Sequence, residues 1–400
     1  MKRLPYLCMD YAAATPLRPR VLRAMVKALS LWGNPSSLHA YGIAAAGALE
    51  EARKQIAHCI NCKPDEVVFV SGGTEANVLA IAGTLDAALA VAGIKNVSAI
   101  TSSIEHPSVL ETFRAYEKKG VRVSYVQPTP DGLITSKAVT DCVRPDTALV
   151  SLALVNSEIG TTIKAADIAR DVGESVAKFP EASRFPVRMH FDAAQAPLWM
   201  AIQRDALRAD LLSFDSAKIG GPKGFGVLVV KRGITLAPRL YGGSQEGQRR
   251  AGTQNVPAAV GCAVAFEEAV AARFAVSKRV ASLRDVLWRE IQREFPSAVV
   301  NGSMQYRVAN NLNVSIPSMT SELSVLALDA LGVGISAGTA CAAAEGPSAV
   351  VAAIAPTQPW RAACALRFTL WEKTTTGDIQ RAVRALRKCF PFVSASVVNT

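Results

Sequence analysis

Two patterns alternate along the first two thirds of the chain. Short apolar runs with few polar interruptions recur at 66–70 ("EVVFV"), 147–154 ("TALVSLAL"), 187–191 ("VRMHF"), 209–214 ("ADLLSF") and 224–230 ("GFGVLVV"). "VSAITSSIEHP" and "VRVSYVQP" read as further strands running into loops. Between them lie stretches of helical length, such as the mostly apolar "TEANVLAIAGTLDAALAVAG" (74–93). Strands that are apolar on both faces and are separated by helices predict a parallel-rich sheet in an α/β layer architecture. Beyond about residue 256 the pattern changes. A long helical region (258–295) precedes two short strands, "NNLNVSIP" and "CALRFTLW", and a closing helix, "TGDIQRAVRALRKCF". That order predicts a smaller α+β domain. The expected division is a large domain over 15–256 and a small one built from 1–14 and 257–400.

Polar side chains gather where the apolar runs stop: Thr74, His106, Asn156, Asp192 and Lys218. Open α/β sheets bind ligands beyond the carboxyl ends of their strands. In "SGGTEAN" two glycines and Thr74 open a helix directly after a strand. Backbone N–H groups there suit a phosphate, although an ordinary strand–helix turn capped by Thr74 reads the same way. Asp192, in "HFDAAQ", could hold a protonated heterocyclic nitrogen or cap a helix. His106, in "IEHPS", could stack on a ligand or serve structure alone. Lys218, in "SFDSAKIGGPKG", is an amine at a strand end and a candidate for a Schiff base. A phosphate cradle, a pyridinium partner and a Schiff-base lysine together are what pyridoxal phosphate requires.

With these residues in place the chain resembles the pyridoxal-phosphate-dependent cysteine desulfurases of the class V aminotransferase group. The resemblance rests on an ordered set of motifs: "CMDYAAATP", "GNPSSLHAYG", "VFVSGGTEAN", "SIEHPSV", "VNSEIG", "HFDAAQA", "KIGGPKG", "GGSQEGQRRAGTQNV", "NVSI", "SAGTAC" and "LRFTL". It implies a fold-type I PLP-dependent transferase whose small domain carries the catalytic-cysteine loop. Lys218 then matches the lysine that carries pyridoxal 5'-phosphate and shuttles protons. Asp192 matches the partner of the ring nitrogen, Gln195 that of the phenolic oxygen, and His106 the residue stacked on the ring. Asn156 would orient the substrate, and Arg367 would fork onto its carboxylate. Gly73 and Thr74 would hold the phosphate. Thr253 matches a threonine that reaches the neighbouring subunit's phosphate, which implies a homodimer. Cys341, in the small-residue loop "ISAGTACAAAEGPS", matches the thiol that takes sulfur from L-cysteine as a persulfide, with His106 as the nearest base. The partner implied is a sulfur-acceptor protein, such as an iron–sulfur scaffold or a tRNA-thiolation protein. Other class V reactions, selenocysteine lyase or transaminase, and a cofactor-poor scaffold remain alternatives.

Two positions depart from that family. Histidine is usual at Ala217 and serine at Asp215, both near the phosphate. A carboxylate there would oppose phosphate binding unless Asp215 turned away in favour of Ser216, or Arg249 and Arg250, in the loop expected to approach from the other subunit, offset its charge. Ser157, Gly247 and Trp371 are smaller departures.

Composition adds limits. Of 400 residues half are apolar and 19% charged, as in soluble globular proteins. No purely apolar stretch is long enough for a transmembrane helix, and Asp10 interrupts the N-terminal apolar run, so a cytoplasmic protein without a membrane partner is expected. The net charge of +11 is dispersed, with no basic run of five, so no direct nucleic-acid contact is expected. Eight cysteines in a chain of this length do not make a disulfide framework. Cys59 and Cys62 form a C-x-x-C without further ligands nearby, and no metal site is expected.

Overall fold

The computed structural model describes residues 6–93, 97–179, 185–338 and 346–398. The predicted apolar runs form a seven-stranded sheet. Its members are β2 (Val67–Val70), β3 (Ser98–Ser102), β4 (Arg122–Val126), β5 (Thr147–Ala153), β6 (Arg188–Asp192), β7 (Leu211–Asp215) and β8 (Gly226–Val230), in spatial order β2-β8-β7-β6-β5-β3-β4. β8 runs antiparallel to both its neighbours, while the pairs β7–β6, β6–β5, β5–β3 and β3–β4 are parallel. The continuous apolar character follows from this position, since β2, β3 and β8 are buried along their whole length.

Helices cover both faces. They include α1 (Pro19–Ala28), α2 (Ala40–Ile60), α3 (Gly73–Ala92), α4 (Pro107–Glu117), α5 (Ser136–Thr140) and α6 (Ala165–Val176). α3 is apolar nearly all round because it is packed into the interior, with Leu79, Ile81 and Leu85 no more than 2% exposed. Its entry turn is tightly set. A Cβ at Gly226 on β8 would stand 2.6 Å from the Gly72 carbonyl carbon, so glycine lets that strand press against the turn.

The second half of the chain adds a three-stranded antiparallel sheet of β9 (Val299–Val300), β10 (Asn311–Ser315) and β12 (Ala365–Thr369). Nearby, β1 (Leu7–Cys8) pairs in parallel with β11 (Val333–Gly334). The helical region after 256 is one helix, α7 (Val256–Glu294), of 39 residues. Its first half packs into the core of the large sheet through Ala259, Cys262 and Phe266. Its second half joins a separate core through Val280, Leu287 and Ile291, where Leu7, Met9 and Leu312 also lie. One helix thus ties both cores together.

Candidate active site

A cleft of about 160 Å³ opens at the carboxyl ends of the parallel strands. Thr74, His106, Asn156, Asp192 and Lys218, predicted from strand ends, all line it. Gly73, Gln195 and Arg367 line it too. Thr253 does not. It borders a separate hollow with Phe69, Glu246 and Arg250. Its segment is anchored by buried Glu246, which accepts from both terminal nitrogens of Arg53 at 2.8 and 2.9 Å and from the Phe69 N–H at 2.9 Å. Cys341 lies outside the described residues.

Lys218 follows β7 in a short helical turn, and its Nζ donates to the Ala13 carbonyl. A second lysine of the same stretch, Lys223, is exposed and outside the cleft. Ala217 holds the N-terminal segment through its backbone, since its carbonyl accepts from the N–H of Thr15 at 2.9 Å and from its hydroxyl at 2.8 Å.

Asp192 ends β6. No helix follows it, so its capping role is confined to the Ala194 N–H, which Oδ1 accepts at 2.9 Å. Oδ2 accepts from Asn77 Nδ2 at 2.8 Å. Asn77 sits one turn after Thr74 on α3 and also reaches Ser108 Oγ at 3.0 Å. Ser108 Oγ is 2.8 Å from His106 Nδ1, and the Ser108 N–H donates to the same nitrogen at 3.1 Å. His106 is therefore the N-cap of α4. Burial lowers its pKa, reinforced by Lys218 and opposed by Asp192 and Asp215. Behind it, buried Glu105 is pushed up to about 8 by desolvation, against the pull of the Ser102 hydroxyl at 2.5 Å.

At the other end of the cleft, α3 begins at Gly73 with Gly72 as N-cap, so Thr74 is not the cap. A Cβ at Gly73 would stand 3.1 Å from Asp215 Cβ and 3.4 Å from its Oδ2. Asp215 thus faces the helix start, and its Oδ1 accepts the Ala217 N–H at 2.9 Å. Ser216 is buried beneath Gly221 and does not line the cleft. The expectation that Asp215 turns away in favour of Ser216 is reversed. Side chains alternate sides as β7 ends, and the cap to Ala217 pins Asp215 on the cleft side. Arg250 pairs with Glu75 at 3.0 Å, and Arg249 donates to the Asp65 carbonyl at 3.3 Å.

Arg367, on β12, is 1% exposed. It pairs with Asp10 at 2.7 Å and donates to the Ser157 carbonyl at 3.1 Å, while its Nε has no partner among the described residues. The Asn156 side-chain oxygen Oδ1 accepts the N–H groups of Glu158 and Ile159, both at 2.9 Å, and its Nδ2 donates to the Ile104 carbonyl at 2.7 Å. Gln195 donates to the Ala12 carbonyl at 2.9 Å. Asn77, Ser108 and Glu105 were not singled out from sequence, and Asp10 was noted only as a break in an apolar run. Asn77 had a legible signal, its place one turn beyond Thr74 on the same helix, and Ser108 had the His-Pro-Ser start of α4.

These residues fit pyridoxal phosphate at the ring end, where a buried carboxylate, a helix-capping histidine and a lysine meet. The glycine start of α3 leaves room where a side chain would fill the cradle, and only Asp215 is discordant there. Cys59 and Cys62 are free, half-buried thiols pushed up by burial to about 11 and about 12.

The aminotransferase class-V family model matches residues 7–382. A cysteine desulfurase IscS from Dictyoglomus turgidum is 36% identical over 409 residues, covering 100% of this chain and 99% of that protein. The solved structure of a NifS-like protein superposes with a TM-score of 0.87 at 28% identity, covering 97% of this chain and 100% of the other. A structure titled SspA in complex with cysteine matches at 0.76 and 31% identity, over 92% of this chain and 99% of that one. The chain belongs to the aminotransferase class-V family and, within it, to the cysteine desulfurases.

Proposed function

We propose that this cysteine desulfurase carries pyridoxal 5'-phosphate on Lys218, takes L-cysteine as substrate and accepts its sulfur on Cys341. The observation that carries this reading is the meeting of Lys218, Asp192 and the start of α3 in one cleft. When bound, the cofactor supplies an electron sink for the bonds broken at the substrate. The chain's own residues do the rest. Asp192, already holding two N–H donors, would pair with the cofactor's ring nitrogen. Lys218 Nζ holds and moves the proton at the substrate α-carbon. Arg367, held by Asp10 and Ser157, binds the substrate carboxylate with a planar fork that lysine cannot copy. Asn156 and Gln195 keep their amides at the cleft wall.

Sulfur transfer balances without an external oxidant. The Cys341 thiolate forms an S–S bond to the substrate sulfur, the C–S bond breaks, and its electron pair goes to the carbon, which is protonated to the methyl group of alanine. Cys341 is left as a persulfide for an acceptor protein. The structure titled with cysteine supports the substrate. That Thr253 lies away from its own chain's cleft supports its service to a neighbouring copy in a homodimer.

The test is Cys341→Ser. The variant should keep the visible absorbance of the bound cofactor and lose both persulfide formation and alanine release. Turnover of cysteine at the wild-type rate would instead mark a lyase or transaminase. For the dimer, mixing Lys218→Ala with Thr253→Ala chains should restore activity that neither has alone. A monomeric mass by light scattering under active conditions would exclude shared sites.

A further inference from the structure

The hydrogen bonds at the ring end have one consistent direction. A carboxylate oxygen only accepts, so the Asn77 atom 2.8 Å from Asp192 Oδ2 is the amide nitrogen. That nitrogen carries two hydrogens, and its second neighbour is Ser108 Oγ at 3.0 Å. Ser108 Oγ thus accepts from Asn77 and turns its own proton to His106 Nδ1 at 2.8 Å. The Ser108 N–H reaches the same nitrogen at 3.1 Å. A ring nitrogen that faces two donors cannot carry a proton itself. Asn77 is 2% exposed, so its amide is shielded from solvent.

We infer that Ser108, held by Asn77, is a positioning residue that fixes His106 as the Nε2–H tautomer, a hydrogen-bond donor towards the cleft rather than a base. Burial keeps the ring neutral, with Asp192, Lys218 and Asp215 the charged groups around it. The neutral ring's basic nitrogen is the one tied to α4, so the sequence-based assignment of His106 as the base for the Cys341 thiol is replaced. Proton movement in the cleft falls to Lys218. This rests on the functional reading above for its meaning, though not for its test.

His106 is one of four histidines, so its ring nitrogens can be resolved by solid-state NMR of ¹⁵N-histidine-labelled protein and assigned with His106→Gln. At mildly alkaline pH, Nδ1 should give a pyridine-type and Nε2 a pyrrole-type resonance, with cofactor absent or present. Ser108→Ala removes one of the two donors, so the Nδ1 resonance should move towards that of an unbonded nitrogen. Ser108→Thr should restore it. Alanine release should fall about 5-fold in Ser108→Ala with KM for cysteine unchanged, as for loss of one hydrogen bond, and recover in Ser108→Thr. A pyrrole-type Nδ1 in the wild type, or an unmoved Nδ1 in Ser108→Ala, overturns the inference. Protein that shows this tautomer yet binds no cofactor supports it while sinking the cofactor reading.

Discussion

At the ring end of the cleft, Asp192 accepts from Asn77 and Ala194, and His106 Nδ1 accepts from Ser108. At the phosphate end, the start of α3 faces the Asp215 carboxylate, while Ala217 offers only its backbone and Ser216 is buried away from the cleft. A helix N-terminus attracts anions, and here the protein's own carboxylate faces it at the place proposed for the cofactor phosphate. The two ends differ in how they are built. Apart from Lys218, ring-end groups come from β6, α3 and α4, which packing holds in place, so they persist as long as the fold does. Phosphate-end groups beside α3 come from the last residue of β7 and the short turn that follows it, where two substitutions change the chemistry and leave the packing alone.

The largest expected effect comes from breaking the ring end. Asp192→Asn keeps the shape and removes the charge, and alanine release should fall about 10²–10³-fold, the range for deleting one preorganised electrostatic partner. A variant that keeps more than about a tenth of the wild-type rate would show that this end does not work through charge.

A second effect concerns the buried carboxyl behind the ring end. Glu105 is raised from 4.5 to about 8 by burial. Between those pH values the folded chain keeps a proton that the unfolded chain has released. Its contribution to stability is therefore full below the unfolded value, falls as pH rises towards about 8, and is level above that. Glu105→Gln removes this fall. Relative to wild type, its stability in denaturant titrations should improve with pH, by roughly a few kcal/mol in total. Parallel pH profiles would mean that Glu105 is ionised when folded.

The phosphate end should respond in the opposite direction to the ring end. Like charges ~4 Å apart at an effective dielectric of about 20 repel by roughly 4 kcal/mol, an upper bound here. Asp215→Ser with Ala217→His removes the repulsion and adds donors, so cofactor should bind about tenfold tighter, and inorganic phosphate should bind tighter to cofactor-free protein. Unchanged affinity would show that the native end already compensates.

The same contrast explains what sequence made legible. Apolar runs that end in Asp192 or Lys218 marked both the strands and the site, because a parallel sheet exposes polar groups only at its carboxyl edge. The seven strands and the pairing of cradle with lysine followed from that. Asn77, one turn beyond Thr74, and Ser108, in the His-Pro-Ser start of α4, sat beside marked residues, but their joint role depends on α3 and α4 standing side by side, which no local pattern records. Asp10 and Arg367 meet only after the two ends of the chain fold together. The direction of Asp215 was misread because it turns on which face the last residue of β7 presents. The long helix α7 reads as a generic helical region, since its two halves bury different faces in different cores.

The smallest effect tests whether a cation rescues the phosphate end. Arg249 and Arg250 were the candidates from sequence. In the structure Arg250 is committed to Glu75, whose carboxylate also accepts the Ser71 N–H at 2.6 Å, and Arg249 leans on the Asp65 carbonyl. To neutralise Asp215, Arg250 would have to abandon Glu75 in the first turn of α3, leaving a second carboxylate beside the same cradle. Moving the cation therefore relieves one anion by exposing another. Arg250→Ala should change cofactor affinity less than about twofold and cost roughly 0.5–1 kcal/mol of stability, the value of a partly exposed ion pair. Weakening of cofactor binding by about tenfold or more, about 1.4 kcal/mol, would show that Arg250 does serve a phosphate, and the two ends of the cleft would then be matched rather than opposed.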